Sequence, residues 1–254
     1  MKHLLCILTA LQLAGTVAAQ QAVDLGLSVL WADCNVGATE PKEVGIYVAW
    51  GELEQKGEYL MTNYRFCLGD FSAPTKYFAY DPNRISTEPD GKTILEPEDD
   101  IATVMLGSDW RTPTNAEITE LVQKCIWKWI ADDEAPGYRV TGPNGNTIFL
   151  PAAGIKTGSK LMYNGDEGYY WAAESMFIAD EVYCLRFTPH LVAHRNFKST
   201  ERWHGCVVRA VRSDDNPIVE PQQPAIQRIT ERGTLLVGTT GDYRPLSQDH
   251  GTIL

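Results

Sequence analysis

The stretch WRTPTNAEITELVQKCIWKW (residues 110–129) contains the strongest local structural signals in this chain. Thr114 and Glu117 have the Thr-x-x-Glu spacing of a capping box, in which each side chain bonds the backbone N–H of the other residue. The apolar residues that follow at the spacing i, i+3, i+4 and i+7 are Ile118, Leu121, Val122 and Cys125. This pattern predicts a helix over 114–125 with one apolar face, and the change of period after it predicts a strand over 126–130.

One further helix and five further strands are predicted outward from this stretch. The helix, 97–106, begins with proline and carries acidic residues 98–100, which favour the positive end of the helix dipole. The strands are predicted at 138–142, 147–150, 169–173, 182–187 and 206–211. The sequence GPNG at 142–145 predicts a hairpin turn, because Asn-Gly readily adopts positive φ angles. Two helices followed by a meander of short strands predict an α+β fold with a mostly antiparallel sheet.

The composition describes a folded, acidic chain. Its 254 residues include 33 acidic and 22 basic side chains, which gives a formal charge of −11, and 44% of the residues are apolar. That apolar share is far above what a disordered acidic tail contains. A negative surface repels phosphate backbones and anionic lipid headgroups, so nucleic acid and membrane surfaces are disfavoured as partners.

Residues 1–19 predict a cleaved secretory signal. A short basic start is followed by an apolar run, and the run ends in the small residues Val17, Ala18 and Ala19 that a signal peptidase needs. The run is shorter than the ~20 apolar residues that span a bilayer, so no membrane span is predicted. Cleavage would leave 33 acidic against 21 basic residues, or −12. We therefore expect an exported protein that is periplasmic, cell-surface or secreted.

The mature chain would keep five cysteines, which are Cys34, Cys67, Cys125, Cys184 and Cys206. The number is odd, so at least one stays unpaired within the chain, and so few are not a disulfide scaffold. No two lie closer than 22 positions, which disfavours a zinc site built from close pairs. Cys184 and Cys206 could still be neighbours across strands, or even bridged, and the pairing stays open.

Seven tryptophans could form a platform on which sugar rings stack. Four of them, in strand-like blocks, are predicted to be core residues: Trp31, Trp110, Trp127 and Trp171. Trp203, in the loop-like run RNFKSTERWHG (195–205), is predicted to be exposed.

Candidate ligand-facing residues come from polar loops. Asp166 and Glu167 follow a glycine and could supply two of the six to eight oxygens that calcium needs, but the Trp-Asn-Asp and Glu-Pro-Asn signatures of calcium-dependent lectins are absent. His190 and His194 are four apart, yet Pro189 argues against the helix that would aim both at a zinc ion. We predict no metal and no cofactor, with calcium as the less favoured possibility. The predicted ligand-facing residues are Asp166, Glu167, His190, Arg195 and Trp203.

Seven blocks of the sequence carry a family resemblance. They are VDLGLSVLWADCNVGA (23–38), VGIYVAWGE (44–52), EPEDD (96–100), the stretch 110–129, GYRVTGPNGNTIFLPAAG (137–154), GYYWAAE (168–174) and VVRAVR (207–212). In this order they resemble the Fibrobacter succinogenes major paralogous domain, whose members are exported proteins frequent in Bacteroidetes. The resemblance implies a C-type-lectin-like fold over 23–213, related to that of the formylglycine-generating enzymes. It supplies no catalytic residues.

The remainder of the chain divides into two parts. Residues 214–224 are rich in proline and predict an extended linker. The run RITERGTLLVGTTGDYRPLS (228–247) is similar to the first strand of family-3-type periplasmic solute-binding proteins, including cyclohexadienyl dehydratases. Residues 225–254 are too few to bury a core alone, so we expect a truncated fragment without activity.

The expected function is an exported, non-catalytic binding or cell-surface module whose ligand is a glycan or a protein. No G-x-S-x-G nucleophile motif is present, and no catalytic residue is predicted. The alternative is an enzyme, either an oxidase like the sulfatase-modifying enzymes or a dehydratase completed by residues beyond this sequence. For the oxidase, Cys184 and Cys206 match a closely placed reactive pair poorly in spacing. The oligomeric state stays open.

Overall fold

The computed structural model describes residues 20–67, 75–78, 90–132, 134–176, 181–192 and 199–213. The predicted signal 1–19, the candidate Arg195, the predicted linker and the predicted fragment 225–254 lie outside the described residues.

The described part is built mainly from short strands. Its helices are α1 (Ile101–Leu106) and α2 (Asn115–Lys124), with 3-10 turns at Met61–Asn63 and Pro97–Asp99. The strands are β1 (Ala22–Val23), β2 (Val29–Ala32), β3 (Trp110–Arg111), β4 (Ile126–Ile130), β5 (Gly137–Thr141), β6 (Thr147–Pro151), β7 (Ile155–Thr157), β8 (Lys160–Met162), β9 (Gly168–Ser175), β10 (Glu181–Thr188), β11 (Leu191–Val192), β12 (Ser199–Glu201) and β13 (Val211–Ser213). Neither helix has the length and apolar content needed to cross a bilayer.

These strands form four antiparallel sheets. One has the order β1-β2-β13-β3. In the second, β10 is the central strand: β11 and β12 pair with its two ends, and β9 pairs with it along its length. The third is the meander β4-β5-β6 and the fourth is the hairpin β7-β8. Every pairing between the named strands is antiparallel. The predicted α+β class with a mostly antiparallel sheet is confirmed at this level.

Helix α2 forms as its capping box predicts. The Thr114 hydroxyl accepts a hydrogen bond from the Glu117 N–H at 3.2 Å, and the Glu117 carboxylate accepts one from the Thr114 N–H at 2.8 Å. The helix buries Ile118, Leu121 and Val122, so its apolar face packs into the core. Cys125 ends the helix in an extended conformation, and β4 starts at the next residue, as predicted.

The predicted helix 97–106 is wrong in its first half. A 3-10 turn covers Pro97–Asp99, and α1 begins only after Asp100, which has an extended backbone. The Asp100 carboxylate accepts hydrogen bonds from the Ala102 N–H at 3.0 Å and from the Thr112 N–H and hydroxyl, both at 2.7 Å. Aspartate therefore caps the helix instead of lying inside it, because its short side chain competes for backbone donors.

The predicted hairpin turn is confirmed. The Gly142 N–H donates to the Asn146 carbonyl at 2.9 Å, and the Gly145 N–H donates to the Gly142 carbonyl at 3.0 Å. Gly145 has a φ of +90°, a region that only glycine enters without steric cost. The turn places Thr141 opposite Thr147, and this fixes the register of β5 with β6.

The predicted strand 206–211 is wrong in its bounds, because regular pairing starts only at β13. Residues 206–210 divide their hydrogen bonds among different neighbours. The Val207 carbonyl accepts from the Trp171 N–H at 3.0 Å, the Val208 carbonyl from the Val36 N–H at 2.9 Å, and the Ala210 carbonyl from the Ala32 N–H at 2.9 Å. This segment is a spine that joins β9 to the chain around β2 without forming one regular ladder.

Arg209 lies in this spine and is 1% exposed. Its Nε donates to the Asn35 side chain at 2.9 Å, its Nη1 to the Ala32 and Asp33 carbonyls at 3.0 and 2.9 Å, and its Nη2 to the Phe149 carbonyl at 2.8 Å. Burial lowers the pKa of this guanidinium. We call Arg209 and these four acceptor residues the Arg209 clamp, and it ties the spine to β6 and to the loop after β2.

The core is rich in tryptophan. Trp31, Trp110 and Trp171 are buried, whereas Trp127 is half-buried and packs edge to face against Tyr138 at 5.4 Å between ring centroids. Trp50 and Trp171 form a reciprocal pair, because the Trp50 Nε1 donates to the Ala172 carbonyl at 2.9 Å and the Trp171 Nε1 to the Val48 carbonyl at 2.8 Å. Trp203 is half-buried against the core, so its predicted exposure is wrong.

Cys184 and Cys206 are both buried thiols on opposite sides of β9. Cys184 pairs with Trp171, whose N–H points the other way to the Val207 carbonyl. β9 therefore lies between the two cysteines, and two strand spacings put the Cα atoms of Cys184 and Cys206 about 9–10 Å apart. A disulfide needs less than about 7 Å, so the bridge that the sequence left open does not fit this arrangement.

Candidate functional site

Residues 51–65, in the loop that follows Trp50, enclose an open cavity with a volume of about 350 Å³. We call it the loop cavity, and its lining residues are Glu52, Leu53, Glu54, Gln55, Lys56, Asn63 and Arg65. Six of these seven side chains are charged or amide groups. The carbon atoms of the lining residues nevertheless contribute more of the lining surface than their polar atoms do, so the cavity combines apolar faces with charged and amide groups.

A compact ion pair forms the base of the loop cavity. Glu52 is buried, and its Oε1 accepts hydrogen bonds from the Lys56 Nζ and from the Arg65 N–H, both at 2.7 Å. The Lys56 Nζ lies 2.6 Å from the second Glu52 oxygen and also donates to the Asn63 carbonyl at 2.7 Å. Glu52 and Lys56 thus neutralise each other and hold the two ends of the loop together.

Arg65 is the cation at the rim of the loop cavity. Its side chain is 52% exposed, and its Nη1 lies 3.2 Å from the Asp99 Oδ1. The guanidinium lies over the Phe66 ring at 5.0 Å, and Phe66 packs edge to face on Tyr64 and Tyr77. Contacts with an aromatic ring and with a buried carboxylate therefore fix the direction of this side chain.

Asp99 is 1% exposed, and its carboxylate contacts several side chains. Its Oδ2 accepts from the Tyr77 hydroxyl at 2.8 Å and from the Lys76 Nζ at 2.5 Å, and Lys76 also lies 2.5 Å from the Glu96 carboxylate. Burial opposes the positive charge of Lys76, but its bonds to Asp99 and Glu96 outweigh burial and raise its pKa. The carboxylate that Arg65 contacts is thus already shared with a second cation.

Arg202 supports this region from beneath and is 3% exposed. Its Nη1 and Nη2 donate to the Lys76 and Tyr77 carbonyls at 3.4 and 3.2 Å, and its guanidinium lies over the Trp50 ring at 5.4 Å. Its buried Nε has no hydrogen-bond partner in the part of the chain that the structure describes. Arg202 therefore links the chain at 75–78 to Trp50, the residue that precedes the loop cavity.

Lys156, on β7, contacts two tyrosines that are hydrogen-bonded to lining residues of the loop cavity. Its Nζ lies over the Tyr47 and Tyr59 rings at 4.9 and 5.7 Å. Both tyrosines contact the cavity lining, because the Tyr59 hydroxyl accepts from the Lys56 N–H at 3.2 Å and the Tyr47 N–H donates to the Gln55 Oε1 at 3.4 Å. Among the described residues, no carboxylate or hydrogen-bond acceptor contacts the Lys156 ammonium.

The predicted ligand-facing residues lie elsewhere. Asp166 is exposed, and Glu167 accepts two hydrogen bonds from Arg186, at 2.7 and 2.9 Å, and one from the Tyr169 hydroxyl at 2.7 Å. His190 is exposed in the turn after β10. Trp203 contacts the ring of its neighbour His204 at 6.0 Å. Arg195 lies outside the described residues, and none of the other four lines the loop cavity.

The register of β10 shows that these residues do not converge. Phe187 pairs with Gly168, the residue after Glu167, whereas Glu181 pairs with Glu201 in β12, close to Trp203. A strand rises about 3.3 Å per residue, so these two ends of β10 are about 20 Å apart. Asp166, Glu167 and His190 share one end, and Trp203 lies near the other.

Within the described ranges, no group of three or more His, Cys, Asp or Glu side chains is arranged to hold a metal ion. Comparison with known proteins identifies no matching family model, no matching curated protein and no matching solved structure. The candidate site is therefore defined by its geometry.

The sequence patterns did not point to the loop cavity. Its segment GELEQKGEYLMTNYR (51–65) has neither helical nor strand periodicity, and it contains a dense mixture of acidic, amide and basic side chains. That mixture, directly after the apolar run VGIYVAW (44–50), is the signal that the sequence offers, because functional side chains concentrate in loops that a rigid scaffold positions.

Proposed function

We propose that this chain is an exported, non-catalytic binding module whose loop cavity recognises a glycan. The observation that carries the proposal is an open cavity of about 350 Å³ whose lining combines apolar surface with charged and amide groups. A sugar likewise combines apolar C–H faces with hydroxyl groups, and ligand sites commonly join apolar surface to a few orienting polar groups. Glu54, Gln55 and Arg65 offer planar acceptors and donors, which can replace the water around sugar hydroxyl groups.

The chemistry of the lining supports binding over catalysis. Among the described residues that line it there is no serine, cysteine or histidine, so they offer no nucleophile beside a general base. Hydrolysis of a glycan commonly needs two carboxyl groups, of which one donates a proton. Glu52 is not placed to donate, because its carboxylate already binds the Lys56 ammonium and the Arg65 N–H.

The oxidase alternative finds little support in the cysteines. Burial raises the pKa of Cys184 to about 12 and the pKa of Cys206 well above its usual value. The thiolate is the reactive form, so burial disfavours the reactive state of both groups. Residues 228–247, on which the dehydratase alternative depends, lie outside the described residues.

The finer fold assignment also belongs to this proposal. A C-type-lectin-like fold, as in the Fibrobacter succinogenes major paralogous domain, agrees with the antiparallel sheets and with a ligand site in a long loop. Export is proposed from residues 1–19. Mass analysis of the protein recovered outside the cytoplasm tests it, and an intact residue 1 would contradict it.

A glycan array probed with the exported protein, with calcium and with EDTA, tests the binding function. We expect at least one glycan to bind equally in both conditions. Gln55→Ala removes an amide from the lining and should weaken binding by about twofold to tenfold, the range for one neutral hydrogen bond. Asp166→Asn, outside the cavity, is the matched control and should leave binding unchanged. An array without a bound glycan, or a loss confined to Asp166→Asn, would refute the assignment.

A further inference from the structure

We infer that the open edge of strand β4 is a docking site for an acidic, extended segment of a partner protein, which adds one strand to the β4-β5-β6 sheet. The inference goes beyond the proposed glycan-binding function, because the residues of β4 are not among those that line the loop cavity. It starts from the difference between the two edge strands of this sheet and from two cations on its outer face.

The edge at β6 is closed by other parts of the protein. The Phe149 carbonyl accepts a hydrogen bond from the Arg209 Nη2 at 2.8 Å, and the Pro151 carbonyl accepts one from the Tyr170 hydroxyl at 2.7 Å. Both donor residues are buried. These contacts with the core occupy the edge of β6.

The edge at β4 is open. The strand pairs with β5 on one side, and among the described residues no backbone group of 126–130 has a hydrogen-bond partner on the other side. Every second residue of an antiparallel strand directs its N–H and C=O away from its neighbour, so β4 offers donors and acceptors to an added strand. None of its five residues is buried, and Ile126 is 71% exposed.

The outer face of β4 and β5 carries two cations side by side. Lys128 and Arg139 are paired in register, and both are exposed. They lie on the face opposite to Trp127 and Trp129, because successive side chains of a strand alternate. In the described part of the chain, neither cation has a salt bridge or a side-chain hydrogen bond. Like charges directly opposite each other destabilise a sheet, so this pair favours an acidic partner in a chain of net charge −11.

The register shows where an acidic side chain of a partner reaches this pair. The neighbours of the two cations on the outer face are Ile126, Ile130, Gly137, Thr141 and Phe149, and none of these is acidic. A residue directly opposite Lys128 on an added strand has its Cβ about 5 Å away. An aspartate or glutamate at that position contacts the ammonium group.

A second copy of this chain complements the edge less well than an acidic segment does. Lys128 is the central residue of β4, so symmetric antiparallel pairing of two copies through β4 places the two lysines opposite each other. A lysine in an edge strand commonly prevents such pairing between identical edges. The complementary segment has an acidic residue opposite Lys128 and apolar residues opposite Ile126 and Ile130.

The test uses three peptides with blocked ends and the sequence Ser-Val-Thr-Xaa-Thr-Val-Ser, in which Xaa is Glu, Gln or Lys. Fluorescence anisotropy measures their affinity for the purified chain. We expect the Glu peptide to bind about twofold to fivefold more tightly than the Gln peptide, as for a cross-strand charge pair, and the Lys peptide to bind least tightly. Hydrogen exchange in 126–130 should become slower when the Glu peptide is added.

Backbone methylation of the Glu peptide tests whether it pairs with the strand edge. The peptide turns one of its two edges toward β4. Methyl groups on the nitrogens of that edge should abolish binding, whereas methyl groups on the alternate nitrogens should leave it unchanged. If both methylated forms bind like the parent peptide, charge alone attracts the peptide and strand docking is refuted.

Variants locate the charge effect. Lys128→Glu should reverse the order of affinities, so that the Lys peptide binds most tightly. Lys160→Glu makes the same change of net charge at an exposed lysine on β8 and is the matched control, which should keep the original order. Circular dichroism checks that both variants fold, and the comparison of the three peptides on the unmodified chain needs no variant.

Three outcomes would overturn the inference. The first is equal affinity for the three peptides, or no binding of any of them. The second is binding of dextran sulfate through Lys128 without binding of the peptides, which would identify the face as a site for polyanions. The third is protection of 126–130 that rises with protein concentration in the absence of peptide, which would show pairing between copies of this chain. Glycan binding by the loop cavity is tested separately by the glycan array.

Discussion

Two buried arginines, seven positions apart in the chain, occupy opposite situations. Arg209, 1% exposed, donates four hydrogen bonds between 2.8 and 3.0 Å. Arg202, 3% exposed, donates two, at 3.2 and 3.4 Å, and its Nε has no partner in the described part of the chain. The first belongs to the core around the spine, and the second supports the region of the loop cavity.

The difference shows that hydrogen bonds compensate buried charges to different degrees in different parts of this protein. A buried charge is tolerated only when hydrogen-bond acceptors replace the water it has lost, and the Arg209 clamp supplies them fully. Around Arg202 the replacement is partial, and the Trp50 ring provides part of it. Regions that bind ligands commonly come from the less stable part of a fold. The loop cavity, which we propose as the binding site, follows Trp50, the residue whose ring contacts Arg202.

The largest effect is expected from Arg209→Met. Removing the guanidinium deletes four hydrogen bonds to buried and partly buried acceptors, so the free energy of unfolding should fall by about 3–5 kcal/mol, as for other broken buried charge networks. Urea unfolding followed by tryptophan fluorescence measures this. Arg209→Lys keeps the charge but cannot reach four acceptors, and it should also be clearly destabilised. A loss below about 1 kcal/mol, the value of one ordinary hydrogen bond, would show that the clamp is not structural.

Arg202→Met should cost less, about 1–2 kcal/mol, because two long hydrogen bonds and one cation–π contact are lost. The same urea titration gives the value, and the variant should remain folded. A loss of unfolding free energy equal to that of Arg209→Met would contradict the comparison, because both arginines would then contribute equally to the stability of the core.

The smallest effect concerns the cap of α2. Burial opposes the charge of Glu117, but the Arg111 hydrogen bond, at 2.8 Å to one of its nitrogens, outweighs burial and lowers the Glu117 pKa below 4.5. A lowered pKa in the folded state means that this stabilisation is present above about pH 4.5 and is lost as the pH falls through the folded value.

Glu117→Gln tests this contribution. A glutamine at this position would still accept the Thr114 N–H, but the charge that pairs with Arg111 is lost, so the variant should lose up to about 1 kcal/mol at pH 7, as for a partly exposed ion pair. Its unfolding free energy should also depend less on pH below about 4.5 than that of the parent chain. Thermal melts from pH 3 to 7 compare the two chains. Parallel pH profiles would contradict the role assigned to the carboxylate.

The elements that sequence patterns predicted well are determined by residues only a few positions apart in the chain. The capping box of Thr114 and Glu117 spans one helical turn, and the turn at 142–145 depends on its own glycine and asparagine. The pattern at 97–106 was misleading, because the partner of Asp100 is Thr112, beyond the predicted helix. The bounds of 206–211 were wrong for the same reason, since the partners of this segment come from distant parts of the chain.

The candidate site was less accessible to sequence reasoning. Glu167 is held by Arg186 and Tyr169, and this neighbourhood depends on the pairing of β9 with β10. Arg65 lines the loop cavity, and the direction of its side chain depends on the Phe66 ring and on Asp99, which is 34 positions away in the chain.

The sequence by itself determined the α+β class, the helix α2, the strand β4 and the hairpin at 142–145, because these depend on periodicity and on turn residues. Only the tertiary structure decided what the buried charges do. The acceptors of Arg209 lie between 60 and 177 positions away along the chain, and no local pattern brings them together. Folding places them around one guanidinium because a buried cation must recover the hydrogen bonds that it made to water.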